Sequence, residues 1–156
     1  MSSSSIHIHP RDSEVPGSNV SSEGTANVAA VLIGRILFSA IFILSVFGDF
    51  SQKSIAAAAQ AGVPFPHILT PLAGLLALVS GLSILVGYRA RLGAWGIVLF
   101  LVVVTPVMHN FWSPTDPAVV EMRQINFMKN VSMLGAALLI TQFGAGPFSV
   151  DAWRRG

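Results

Sequence analysis

The chain contains no cysteine. Disulfides, thiolate metal sites, Cys-ligated iron–sulfur clusters and thiol redox chemistry are therefore excluded. Any redox role has to rest on a bound organic cofactor, a His-ligated centre or a partner subunit. Charge is also scarce. Asp, Glu, Lys and Arg make up 10% of the 156 residues, against roughly 25% in an ordinary soluble domain. The basic residues are scattered, so the net charge of +2 forms no block that would grip nucleic acid. Hydrolase and phosphate-binding motifs are missing too. The G-x-G at Gly144 and Gly146 precedes Pro147 at the end of an apolar run, where it reads as a helix C-cap and not a phosphate loop.

What the chain has instead is apolar: 53% of its residues are hydrophobic. A soluble domain of this size buries only about two-thirds of the surface its unfolded chain exposes, so the excess calls for a bilayer. About 20 apolar residues cross the hydrocarbon core as a helix. Four such runs are present, and spans are expected at 27–48, 68–87, 92–109 and 124–143. The expected fold is all-α, an integral membrane four-helix bundle with a disordered N-terminal tail. The tail covers 1–26, with a serine run and breaks at Pro10, Pro16 and Gly17, too little apolar surface for a core. Its His7 and His9 form an H-x-H pair that reads as chance, and no metal site is expected. A cleaved signal peptide fits poorly, because Arg35 interrupts the first apolar run.

Between the spans, Ser54 to Ala61 reads as a short interfacial helix ended by Gly62, Pro64 and Pro66. Tyr88 to Arg91 make a tight turn, and residues 110–123 read as a loop on the strength of Ser113, Pro114, Asp116 and Pro117. Arg89, Arg91, Arg154, Arg155 and Arg11 all fall on one side of a four-span chain. By the positive-inside rule that side is cytoplasmic, which places both termini inside, including the short segment 152–156. Trp112 suits an aromatic belt on the outer face, and Tyr88 and Trp153 one on the inner face.

Ionisable residues in hydrocarbon cost at least about 2.5–3.5 kcal/mol on insertion scales and face the bundle or water. Arg35, Ser39, Phe42, Ser45 and Asp49 recur at spacings of three and four and share one helix face. Asn126, Lys129, Asn130 and Met133 do the same in the fourth span. Asp49, His67, His109, Asn110, Trp112 and Lys129 should all lie at the outer end, with Asp49 and Lys129 as an ion pair. One reading is that these groups only lock helices together. The other is a small-molecule pocket, with Phe111, Trp112 and Phe127 as a stacking surface. Asn110, Asn126, Asn130 and Lys129 would then donate hydrogen bonds, and His109 would carry protons. A quinone suits such a pocket. A haem between His67 and His109 is allowed by depth alone. Gly74, Ala77, Ser80, Gly81 and Ser83 in the second span read as a close-packing face.

The chain resembles the DoxX family. The resemblance rests on G-R-I-L-F-S-A-I-F-I at 34–43, G-V-P at 62–64, G-Y-R-A-R-L-G-A at 87–94, H-N-F-W at 109–112, N-F-M-K-N at 126–130 and G-A-G-P-F-S-V-D at 144–151. It covers the domain 27–151. It implies four transmembrane helices in a bacterial cytoplasmic (inner) membrane and an association with quinone-reducing oxidoreductase complexes. On that basis the expected role is an accessory subunit of a quinone-linked membrane redox system, with no intrinsic cofactor, a quinone as ligand, and a partner redox subunit or a second copy beside it in the lipid. A non-catalytic assembly or anchoring subunit is the alternative. A transporter ranks lower, since no internal repeat is visible. One departure concerns the second span, where the family often carries a glutamate in an E-x-x-G-G-like pattern; Ala77 and Ser80 stand in that stretch here. Arg35 therefore needs another partner, and Asp151 or a set of Ser39, Ser80 and Ser83 with water is expected to supply it.

Overall fold

The computed structural model describes residues 19–154, with side chains from Thr25 onward except those of Phe47 and Asp49. The expected tail over 1–18 with His7 and His9, and the last two residues of the C-terminal segment, lie outside that range. Among the described residues every regular element is a helix: α1 (Asn19–Asp49), α2 (Gln52–Gln60), α3 (Pro66–Val86), α4 (Ala90–Met108), α5 (Pro117–Phe143) and α6 (Val150–Trp153). Three segments are long and apolar enough to cross a membrane: Thr25–Val46 within α1, Pro66–Val86 and Ala90–Met108. At most 28% of the residues in any of them are buried inside the protein. The remaining apolar surface, including Leu37, Leu44, Leu72 and Leu99, points outward.

Local chemistry sets most helix ends. α3 starts with Pro66, whose missing N–H would be an orphan there anyway. It ends at Gly87 with φ 72°. The Tyr88 N–H donates to Ser83 O and the Gly87 N–H to Ile84 O, a pairing that satisfies the last carbonyls and needs a left-handed residue. α2 is capped by Ser51, whose hydroxyl accepts from the Ser54 N–H at 3.2 Å.

Two boundaries differ from the sequence reading. Asp116 caps α5 through the Ala118 N–H at 2.9 Å, with Pro117 in the first turn. The Asp-Pro pair read as a turn is thus a helix start, and α5 begins seven residues before position 124. α1 likewise begins at Asn19, so the helix extends eight residues before the expected start at 27.

α3 packs between α1 and α4, and α5 packs along α4. The core cluster draws on all four long helices, through Phe42, Ala77, Ile84, Ala94, Ile97, Leu101 and Ala137. Phe42 stacks edge-on against Phe100 at 6.3 Å. The α3–α4 contact depends on missing side chains. A Cβ at Gly93 would sit 2.8 Å from Ser83 Cβ and 2.9 Å from Ser80 O, and one at Gly96 would sit 2.2 Å from Ser80 Oγ. Gly93→Ala is expected to destabilise the protein by about 1–3 kcal/mol through overpacking. Gly96→Ala should cost less, since its nearest obstacle is a hydroxyl that can rotate. Thermal unfolding of the two variants in detergent checks the order.

Candidate functional site

Polar chemistry gathers at the two ends of the helices. At one end sits Arg35, 7% exposed although it lies in the middle of an apolar helix. Ser39 and Phe42 on the same face are buried too, so the inward stripe of α1 is real over this stretch. The Arg35 guanidinium donates Nη1 to Ala145 O and Nη2 to Phe148 O, each at 2.8 Å. Its expected partners were Asp151, or Ser39, Ser80 and Ser83 with water. The structure corrects this: both Asp151 oxygens accept backbone N–H groups at the start of α4, from Arg89 at 2.8 Å and Ala90 at 3.0 Å. A carboxylate at a helix N-terminus meets two orphan donors and the positive end of the dipole. The Asp151 N–H returns a bond to Gly87 O at 2.8 Å. The loop that makes this possible takes three left-handed residues, Gly144, Gly146 and Phe148. At Gly146 a Cβ would strike Val31 Cγ1 at 2.7 Å.

The other end is built from the α4–α5 connection and the first turns of α5. His109 closes α4, its N–H donating to Thr105 O at 3.0 Å. Phe111, Trp112 and Phe127 form a mutual edge-to-face cluster with centroids 5.1, 5.4 and 6.0 Å apart. Arg123 donates to Asn110 Oδ1. Lys129 Nζ donates to Asn126 Oδ1 at 3.0 Å, and Asn126 Nδ2 to Met122 O at 2.9 Å. Burial pushes the His109 pKa below the ordinary imidazole value, and the positive charges of Lys129 and Arg123 push it the same way. The Asp49 side chain lies outside the described residues, so the expected pair with Lys129 falls there. His67 is exposed in the first turn of α3. Among the described residues no group of three or more His, Asp or Glu is placed to hold a metal ion.

Directly beneath the aromatic cluster, α4 and α5 part to leave a crevice of about 230 Å³ lined by Leu101, Val102, Thr105, Phe127, Asn130 and Val131, among others. Asn130 and Thr105 are only 7% and 5% exposed, and the Thr105 hydroxyl has no hydrogen-bond partner. Such an orphan costs free energy and asks for an explanation. Lys129 and Arg123 thus act electrostatically on His109, Arg123 bonds Asn110 and Lys129 bonds Asn126, while Asn130 shares the crevice with Thr105 and Phe127. Thr105 escaped the sequence reading. Its signal was its place one helical turn before His109, on the same face of an otherwise apolar span.

The family model of DoxX matches residues 30–110, just over half of the chain. The inner membrane protein YphA of Escherichia coli K12 is 30% identical over 130 residues, which cover 82% of this chain and 92% of that protein. The inner membrane protein YqjF of the same organism is 27% identical over 121 residues, covering 78% and 88%. A Surfeit locus protein 4 homolog of Schizosaccharomyces pombe is 26% identical over 149 residues, or 95% of this chain but 45% of that longer protein. No solved structure matches the chain.

Two outcomes follow from the geometry. Arg35→Lys keeps the charge but loses the planar fork that reaches two carbonyls. It should cost about 1.5–3 kcal/mol, the range for one bond to a charged group, read as a lower unfolding temperature and faster proteolysis at the Phe148 loop. For His109, the folded pKa lies below the unfolded value of about 6.5. The unfolded chain thus takes up the proton first, and the stability that neutral His109 contributes is complete above that value and lost as pH falls through the folded pKa. Between pH 7.5 and 5 the wild type should lose more thermal stability than His109→Gln.

Proposed function

This chain belongs to the DoxX family, and from that premise we propose that it is an accessory subunit of a quinone-linked oxidoreductase in a bacterial inner membrane. It is a multi-pass membrane protein. In this reading α5 is the fourth span and completes a four-helix bundle with both termini on the cytoplasmic side. At 27 residues α5 is about 40 Å long, more than the ~30 Å hydrocarbon core requires.

The observation that carries the proposal is the orphaned Thr105 hydroxyl on the wall of the α4–α5 crevice. A quinone has a flat apolar ring with two carbonyl acceptors, and it takes up two electrons and two protons on reduction to the quinol. The residues present fit that group. Thr105 Oγ1 and the Asn130 amide are donors in a largely apolar crevice, Phe127 supplies an aromatic wall, and Val102 and Val131 face outward at the side, where an isoprenoid tail would pass into lipid. His109, its pKa lowered by burial and by its cationic neighbours Lys129 and Arg123, would carry protons between the bound quinone and water. The chain's part is to bind, orient and exclude water, and a partner subunit supplies the electrons.

α5 also favours a partner. Gln124, Lys129 and Ser132 are exposed on a helix that would otherwise present them to lipid at a cost. A second copy or another subunit covering this face removes that cost. The same observation supports the alternative of a non-catalytic assembly subunit, which needs the partner but no ligand.

The test is titration of purified protein in detergent with a short-chain quinone, comparing wild type with Thr105→Val, Asn130→Leu and Lys129→Met. Thr105→Val keeps shape and removes the donor. Saturable binding should weaken about tenfold, the worth of one hydrogen bond. A folded wild type that binds nothing, or binding untouched by Thr105→Val, would move the reading to assembly.

A further inference from the structure

Another cavity lies on a different face. Between α3 and α4 a groove of about 680 Å³ opens at the Tyr88 end of the molecule. Its floor is made by Gly93 and Gly96, where α4 carries no side chain, and its walls by Val79, Leu82, Val86 and Leu92. Val79, Leu82, Val86 and Leu92 are all exposed. The polar atoms near the floor are already occupied or buried: Ser83 Oγ donates to Tyr88 O at 2.6 Å, and Ser80 is 4% exposed. The groove is thus a long apolar slot on a face that meets lipid.

Its mouth is charged. Tyr88 and Arg89 line it. Two guanidinium groups lie against the Tyr88 ring, with Arg89 Cζ 5.8 Å and Arg154 Cζ 5.2 Å from its centroid. Both arginines are exposed. The acid packed here, Asp151, directs both carboxylate oxygens to backbone N–H groups of Arg89 and Ala90. Arg91 on the same turn donates to Gln142 O at 2.8 Å. Arg89 and Arg154 thus set two exposed cationic side chains around the Tyr88 ring at the end of an apolar slot.

We propose that this groove binds an anionic phospholipid, with one acyl chain lying along α3 and α4 and the phosphate held between Arg89 and Arg154. Basic clefts between membrane helices recognise anionic headgroups in this manner, and tyrosine is favoured at the level where headgroup meets chain. The acyl chain lies between Val79, Leu82, Val86 and Leu92, over the floor where Gly93 and Gly96 pack against Ser80 and Ser83. The site is independent of what occupies the α4–α5 crevice at the other end.

Native mass spectrometry of the full chain, released from micelles doped with phosphatidylglycerol or phosphatidylcholine of the same acyl composition, tests it. The expected result is a preference for phosphatidylglycerol of roughly tenfold or more, from two cations at the headgroup. Arg89→Gln with Arg154→Gln should abolish the preference while leaving helix content unchanged, since both side chains are exposed. Val79→Trp fills the slot without touching the charges and should reduce retention of both lipids. Equal binding of the two lipids by wild type, or a preference that survives the double substitution, would overturn the proposal. So would full retention of phosphatidylglycerol by Val79→Trp, or displacement of the lipid by millimolar inorganic phosphate, which would mark an anion site with no use for the chain.

Discussion

A guanidinium group in the middle of an apolar helix must find its acceptors within the protein, and the way Arg35 does so organises one end of the molecule. Its two terminal nitrogens reach the carbonyl oxygens of Ala145 and Phe148. Carbonyls turned inward require a loop that doubles back after α5, and that loop is bought with left-handed residues at 144, 146 and 148. Once the chain has turned, Ser149 starts α6 by capping Ala152 at 3.1 Å. The turn also delivers the Asp151 carboxylate to the first N–H groups of α4. A single buried cation on α1 is thereby linked to the loop after α5, to α6 and to the start of α4. A lone buried charge is destabilising and a paired or fully bonded one is tolerated. Bonds to backbone carbonyls achieve this without bringing a second charge into hydrocarbon.

The opposite arrangement governs the α3–α4 contact, where nothing polar acts and closeness comes from the absence of atoms. In lipid there is little hydrophobic gain in pressing helices together, and small residues let dispersion contacts replace it. Gly93 against Ser83 and Gly81 against Phe42, where a Cβ would meet the Phe42 Cβ at 3.2 Å, place α3 at the centre of the packing. The outward walls of the α3–α4 groove come from Val79, Leu82, Val86 and Leu92, which flank this close contact.

Much of this was legible in the sequence because periodicity and helix stops act locally. The ends of α3 and α4 lie within two residues of the expected positions, since Pro66 and Gly87 each dictate a backbone state. The inward face of α1 was legible because Arg35, Ser39 and Phe42 recur at helical spacing. α5 was shortened in the reading because Asp-Pro serves both turns and helix starts, and only packing on α4 decides between them. The partner of Arg35 was not legible at all. A carbonyl oxygen belongs to every residue and carries no letter, so a search among side chains finds Asp151, which is near in the fold but bonded elsewhere. Thr105 was hidden for the converse reason: a threonine in an apolar span usually bonds its own helix, and its failure to do so is a property of three dimensions.

That failure separates the two ends in functional terms. Four buried polar atoms lack a partner among the described residues: Arg35 Nε, Ser39 Oγ, Thr70 Oγ1 and Thr105 Oγ1. Arg35 Nε belongs to a group whose other nitrogens are bonded, and Ser39 lies one turn along the same buried face, so both sit inside a packed region with no described cavity. Thr105 lines the α4–α5 crevice, together with Phe127 of the aromatic cluster and Asn130. A buried donor facing empty volume is costly to keep unless something periodically fills the volume. A Thr105→Val substitution would remove that cost with little change in shape. In the proposed reading that hydroxyl meets the acceptor of a lipophilic ligand, and the apolar walls around it suit such a molecule.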